Sequence, residues 1–162
     1  ISGGAIYDWG AHFTDWILNI VPGKIDWVSG YQVKNKEWKS YTNEDHSEYS
    51  MRFESGTLVT LTISNLSMSG RPRWRVLGEH GSIEHDGEKF QVNTLVNGRK
   101  MQTEVPFEQS DWHAYYRNIY KHLLGRAKLI ITPESAARVI GVLEAANISA
   151  SRKSQPIKPA FV

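Results

Sequence analysis

Three short pairs ending in glycine confine the middle of this chain to an antiparallel sheet. Ser55-Gly56, Asp86-Gly87 and Asn97-Gly98 interrupt runs in which apolar and polar side chains alternate. Such pairs tolerate the positive φ that tight, twisted hairpins require. Around the first pair the alternation is explicit. Tyr49, Met51 and Phe53 alternate with Ser50, Arg52 and Glu54, and Val59, Leu61 and Ile63 alternate with Thr60, Thr62 and Ser64. A period of two sends each set to its own side of a strand. From Ile25 to Val105 the pattern predicts a meander of about six or seven strands.

Helical spacing flanks this sheet on both sides. From Gly4 to Val21, the residues Ile6, Trp9, Phe13, Trp16, Ile17 and Ile20 are spaced as one apolar helix face, with Gly3-Gly4 ahead and Pro22-Gly23 behind. After the sheet, Trp112, Tyr115, Tyr116, Ile119, Tyr120, Leu123 and Leu124 form a stripe that Gly125 ends. Thr132-Pro133 has the residue types of a helix start, Thr as N-cap and Pro in the first turn. Ala136, Val139, Ile140, Leu143 and Ala146 follow as an apolar face, and the proline-bearing tail from Ser154 to Val162 is expected to be extended. Helix, sheet, helices in that order predict an α+β fold, a mostly antiparallel open sheet with helices packed on one face. Residues 1–162 are read as a single domain without internal repeats.

Several chemistries are excluded outright. With no cysteine among 162 residues, the chain has no disulfide, no thiol nucleophile and no Cys-ligated zinc or iron–sulfur centre. The absence of Cys suits a reducing compartment, and a cytoplasmic location is expected. Nineteen basic against 17 acidic residues leave a formal net charge of +2, too small for a strong polyanion field. No apolar run approaches the ~20 residues of a membrane helix, so no membrane partner is expected. Neither a G-x-G-x-x-G nor a G-x-x-x-x-G-K-[ST] stretch occurs, and the G-x-S-x-G and H-E-x-x-H patterns are absent too. The chain opens on Ile1 and is read as a piece of a longer protein.

Chemistry concentrates in the first helical stretch. On a helix turning about 100° per residue, Asp8, His12, Asp15 and Asn19 fall within roughly 60° of one another, beside the Trp-rich arc. An imidazole exchanges protons near neutral pH. Asp8, one turn earlier, is placed to orient the His12 ring, raise its basicity or hold a substrate hydroxyl. Gly3 and Gly4 allow a close approach to the backbone, at what is expected to be an anion-favouring helix N-terminus. On spacing alone a second reading stays open, a solvated helix face carrying an Asp8–His12 pair at i,i+4. Asp15 is read as structural. No second His stands at ligand spacing, so no metal site is expected.

Other residues are read more plainly. Arg71, Arg73 and Arg75 around Trp74 are taken as a polar sheet face with the Trp turned inward, and no nucleic-acid partner is expected. Tyr115 and Tyr116 have two possible roles, lining a sugar pocket or filling a core stripe, and the spacing favours the core. The sheet face bearing Thr60, Thr62 and Ser64 lacks the charges of a fully solvated surface.

The stretch Gly3-Gly4-Ala5-Ile6-Tyr7-Asp8-Trp9-Gly10-Ala11-His12-Phe13-Thr14-Asp15 resembles the start of the C-terminal domain of the Gfo/Idh/MocA oxidoreductases. Phe53-Glu54-Ser55-Gly56-Thr57 resembles that family's mid-sheet turn, and Leu77 to Glu84 its strand–turn–strand. Thr132-Pro133-Glu134-Ser135-Ala136 through Ala146 resembles its final helix, so the ordered set runs from Gly3 to about Pro156. The resemblance implies a Rossmann nucleotide-binding domain absent from this chain, and hydride transfer between NAD or NADP and a sugar, polyol or related alcohol. It implies His12 as the acid/base residue and Asp8 as its helper and substrate ligand. Tyr115 becomes a further candidate for substrate binding, and Gly3 and Gly4 candidates for contact near the nicotinamide. The family's catalytic Lys comes from a Glu-Lys-Pro motif. None occurs here, so the isolated chain is expected to be inactive. Homo-oligomers through the sheet, by the face bearing Thr60, Thr62 and Ser64, are expected. The rival function is a non-catalytic carbohydrate-binding or scaffolding module of the same fold.

Overall fold

The computed structural model describes residues 3–34 and 42–161. The elements run α1 (Trp9–Ile20), β1 (Ile25–Val33), β2 (His46–Phe53), β3 (Leu58–Ser64), β4 (Arg75–Gly78), β5 (Gly81–His85), β6 (Lys89–Val96), β7 (Arg99–Pro106), α2 (Ala114–Leu123) and α3 (Pro133–Ser151). The fold is α+β, and every strand pairing is antiparallel. The strands form two hydrogen-bonded groups, β1-β2-β3 and β4-β5-β6-β7. The chain divides accordingly into two compact units, residues 1–67 with 129–162, and residues 68–128.

In the first unit, β2 alternates as its sequence predicts. Ser47, Tyr49, Met51 and Phe53 are buried, whereas Glu48 and Arg52 are exposed. Ile25, Val28 and Gly30 on β1 continue this inward face. Helix α3 lies on it so closely that a Cβ at Gly30 would stand 2.2 Å from the Ala146 carbonyl oxygen. Only glycine permits that approach. The Gly30 N–H donates to Ser149 Oγ at 2.9 Å, and Ser149 donates onward to the Gln155 carbonyl at 2.6 Å. Val139, Val142, Leu143, Ala145 and Ala146 bury the packed side of α3, while Ile140, expected among them, is half exposed. The helix starts where Thr132-Pro133 predicts. Thr132 Oγ1 accepts from the Ser135 N–H, and Ser135 Oγ accepts from the Thr132 N–H. The tail is extended, and Ile157 exchanges two 2.8 Å backbone bonds with Val28.

Helix α1 departs from its sequence pattern. The spacing predicts a helix from Gly4 with Ile6, Trp9, Phe13, Trp16, Ile17 and Ile20 on one apolar face, and of these six only Ile6 and Ile17 are buried. The helix begins at Trp9, because Gly3 and Gly4 hold φ of 73° and 86°, and a turn carries residues 5–8. Its buried side is Gly10, Thr14 and Ile17, whereas Trp9, Trp16 and Ile20 are exposed. The reason is steric. A Cβ at Gly10 would already stand 3.1 Å from Ile63 Cδ1 and 3.4 Å from the Tyr49 hydroxyl, so the narrow side of the helix faces the sheet. Thr14 and Tyr49, both buried, share a 2.7 Å hydroxyl–hydroxyl bond.

The second unit carries the other two predicted hairpins. Gly87 holds φ of 108°, and Asn97 and Gly98 hold 51° and 73°, the paired positive values of a two-residue turn. Strand register sorts the side chains into two faces. Val76, Ile83, Phe90, Val92, Met101 and Val105 share one face. The other carries cross-strand pairs, Arg75 with Glu84 at 2.8 Å and Lys89 with Glu104 at 2.7 Å. No residue between 68 and 128 is buried. Helix α2 buries none of its residues, so the expected core stripe is exposed, with Tyr115 at 50% and Tyr116 at 69%.

Candidate active site

His12 projects from the second turn of α1 and is exposed. Its ring lies between two indoles, with centroids 5.8 Å from Trp9 and 6.4 Å from Trp16, and Phe13 meets Trp16 edge-on at 5.1 Å. The aromatic residues that periodicity assigns to the core therefore form a surface platform around the imidazole. An exposed imidazole flanked by flat apolar rings can exchange a proton with a ligand lying on the platform.

Asp8 occupies the N-cap position of α1, just outside the helix, and makes no side-chain capping bond. Its carbonyl accepts from the Ala11 N–H at 3.1 Å. The i,i+4 pair of the solvated-face reading is not formed, since no ion pair joins Asp8 to His12 among the described residues. Asn19 turns back to the helix and donates to the Asp15 carbonyl at 2.8 Å. No trio of His, Asp and Glu suited to a metal ion occurs among the described residues.

The glycines ahead of Asp8 have neighbours that local sequence does not reveal. A Cβ at Gly4 would stand 2.5 Å from either carboxylate oxygen of Glu44, and the Ile6 N–H donates to Glu44 Oε1 at 3.2 Å. The anion close to this corner is thus one of the chain's own side chains. At Gly3 a Cβ would meet the Tyr7 ring at 3.3 Å. The corner also lies five or more residues ahead of the first turn of α1, not at the helix N-terminus where it was expected.

Residues 1–84 match the family model described as the GFO/IDH/MocA C-terminal domain. The chain belongs to this family. No match is found among curated proteins. Among solved structures, the chain is similar to an NAD-binding protein from Listeria innocua, at 20% identity and a TM-score of 0.82 over 97% of this chain and 48% of that one. It is also similar to an oxidoreductase from Bacillus cereus, at 16% identity and a TM-score of 0.80 over 96% and 52%. The yvaA protein of Bacillus subtilis shares 20% identity and a TM-score of 0.85 over 98% and 53%. At such identities the likeness establishes the fold. The chain spans about half the length of these structures.

Within this family domain, Gly3, Gly4, Asp8 and His12 fall on one short segment of the first unit, whereas Tyr115 lies in the second unit on α2. Arg75 is engaged by Glu84, and Arg71 and Arg73 are exposed. Sequence reasoning passed over Glu44, Asn147 and Gln32. Each reaches the α1 segment or its support from far along the chain, and Asn147 lies 140 positions from Tyr7. No helix among the described residues is long and apolar enough to cross a membrane.

Proposed function

We propose that this chain is the substrate-side domain of an NAD- or NADP-dependent oxidoreductase acting on a sugar, polyol or related alcohol, with His12 as the acid/base residue. The observation that carries the reading is the exposed imidazole held between Trp9 and Trp16 on a Gfo/Idh/MocA domain. A nicotinamide, when bound, supplies the two-electron chemistry at the carbinol carbon. The residues here fit its reacting end only. The aromatic cluster offers apolar ring surface with its rings tilted against one another, while Glu44 already fills the Gly4 corner and the chain has no phosphate-cradling loop. Gly3 and Gly4 then act near the nicotinamide through the shape of the turn.

His12 accepts the proton of the substrate hydroxyl in the oxidative direction and returns it in the reductive one. Asp8, with its carboxylate free of a capping bond, holds a substrate hydroxyl near the imidazole. Removing the imidazole from the protein that carries this chain, His12→Ala, is expected to lower turnover by about 10²-fold, the scale of a positioned acid/base group. Unchanged turnover would refute the assignment. The same indole platform favours a second reading, a carbohydrate-binding module without turnover. It predicts sugar binding that survives His12→Ala and is lost in Trp9→Ala.

The partner of the second unit follows from its faces. The side bearing Val76, Ile83, Phe90, Val92, Met101 and Val105, with His85 beside Phe90, is exposed or half-buried along its length, and the His85 and Phe107 rings pack on Phe90. A neutral apolar sheet face is self-complementary, and two such faces pack about 10 Å apart. A second copy of the chain is the occupant proposed. Sedimentation is expected to show a dimer or larger assembly that Ile83→Asp disperses, and a monomer at high micromolar concentration would rule it out.

A further inference from the structure

Asp8 stands at the N-cap of α1, a position where an Asp ordinarily spends its carboxylate on the N–H groups of the first turn. Here it does not. Asp8 holds φ of −91° and ψ of −97°, away from the extended backbone from which a capping side chain reaches those donors, and it makes no such bond. The turn that carries Asp8 is therefore held from elsewhere.

Glu44, from the loop ahead of β2, supplies the hold. Its Oε1 accepts from the Ile6 N–H at 3.2 Å, two residues before Asp8. The direction of this bond follows from the groups themselves, since a backbone N–H only donates and a carboxylate accepts. Both carboxylate oxygens lie over the buried Gly4, where a Cβ would stand 2.5 Å from either one. Gly4 also holds φ of 86°, so the corner favours glycine on two counts. From the other side, the Ala5 carbonyl accepts from the Gly10 N–H at 3.1 Å. Ile6 is buried, with Cγ1 3.5 Å from where a Gly10 Cβ would stand. Ala5 and Ile6 are thus gripped between Glu44 and the first turn of α1. Asp8 lies in the short segment that joins them to the helix, and its carbonyl closes that segment on the Ala11 N–H.

We propose that Glu44 is a positioning residue for Asp8. It anchors the entry turn from outside, so the Asp8 carboxylate is left free of the helix end and available to a substrate hydroxyl. Glu44 acts through the backbone of residues 5–8 and takes no part in the proton transfer. Without the anchor, the turn relaxes toward ordinary capping geometry, and Asp8 closes on the first-turn N–H groups. The inference rests on the oxidoreductase reading and adds to it the residue that keeps Asp8 in service.

The test uses the full-length protein with D-glucose, sorbitol and myo-inositol as probes and either nicotinamide cofactor. Glu44→Ala removes the acceptor. Glu44→Asp keeps the charge but falls short of the Ile6 N–H, and it serves where Glu44→Ala does not fold. Glu44→Gln keeps an oxygen of the same reach. The first two are expected to raise KM by about tenfold, the worth of one hydrogen bond to a charged group, with a smaller fall in kcat. Glu44→Gln should restore most of the loss. The decisive arm is a double-mutant cycle with Asp8→Ala. Once the Asp8 carboxylate is gone, adding a Glu44 change should move KM no further. An equal rise in both backgrounds would make Glu44 a general brace of the fold and overturn the proposal. A lowered melting temperature with KM unmoved would overturn it too. If Asp8→Ala and His12→Ala lower kcat/KM while the Glu44 variants run as wild type, only the role of Glu44 fails. If the wild type turns over none of the probes, the oxidoreductase reading fails and takes this inference with it.

Discussion

The two units solve the same problem differently. The three-stranded sheet has one apolar face, and α1 and α3 of its own chain cover it until Val28, Met51, Val142 and Leu143 are wholly inaccessible. The four-stranded sheet has an equally clear apolar face, yet no residue of that unit is buried. The second copy proposed above would cover that face, as exposed apolar patches on a surface mark sites of interaction. The comparison separates two uses of one sheet pattern. In the first unit, alternation builds a core that holds a site in place. In the second, the same alternation builds a surface.

The sharpest way to break that comparison is to remove one apolar side chain from each unit. Leu143→Ala, in the fully covered face, is expected to cost about 2–5 kcal/mol, the range for deleting a buried Leu. Ile83→Ala, on the uncovered face, is expected to cost about 1 kcal/mol or less at low protein concentration. Denaturant titration at two concentrations sharpens the point. The Leu143→Ala penalty should not change with concentration, while that of Ile83→Ala should grow as assembly covers the face. Equal, concentration-independent penalties would mean that the units do not differ in this way.

A smaller effect tests how α1 is seated. Tyr49 is buried, its hydroxyl bonds to Thr14, and burial pushes its phenol well above the usual range. Tyr49→Phe strands the buried Thr14 hydroxyl and is expected to cost about 1–2 kcal/mol. The pH dependence has a definite sign. The folded phenol keeps its proton where the unfolded one, near 10, loses it, so the wild type loses stability as pH rises above about 10. Tyr49→Phe should lack that component of the alkaline decline. Identical alkaline profiles would show that this hydroxyl does not titrate as its burial requires.

The contrast also explains which features were legible in the sequence. The three hairpins and the α3 cap were readable because their chemistry is local. Gly87, Asn97 and Gly98 need positive φ, and Thr132 reaches only to Ser135. The packed side of α1 was not readable from hydrophobic spacing. Spacing ranks faces by hydrophobicity, whereas the contact with Tyr49 and Ile63 selects the narrow side at Gly10 and Thr14. For the same reason the Trp residues look like core in the sequence and stand beside His12 in the structure. Within the candidate site, Asp8 and His12 came from a compact motif. Glu44, Asn147 and Gln32 came from distant elements that only the fold brings to the turn.

The smallest expected effect lies in the second unit, at a turn that depends on no partner. Asp86 accepts the Glu88 N–H at 3.1 Å and the Lys89 N–H at 2.9 Å, and these bonds hold its carboxyl below the usual range. A depressed carboxylate contributes stability above its unfolded pKa and loses it as pH falls through the folded value. Because Asp86 is exposed, the contribution is local to the β5–β6 hairpin. Amide hydrogen exchange at Glu88 and Lys89 is therefore the sensitive measurement. Asp86→Ala should speed exchange there at neutral pH, and the difference from wild type should vanish in acid once Asp86 is protonated. Faster exchange confined to these amides would show that the hairpin is set by its own turn chemistry. Acceleration across β4 to β7 would instead mean that the sheet has little stability beyond its turns, which would strengthen the case that its apolar face is built to be covered.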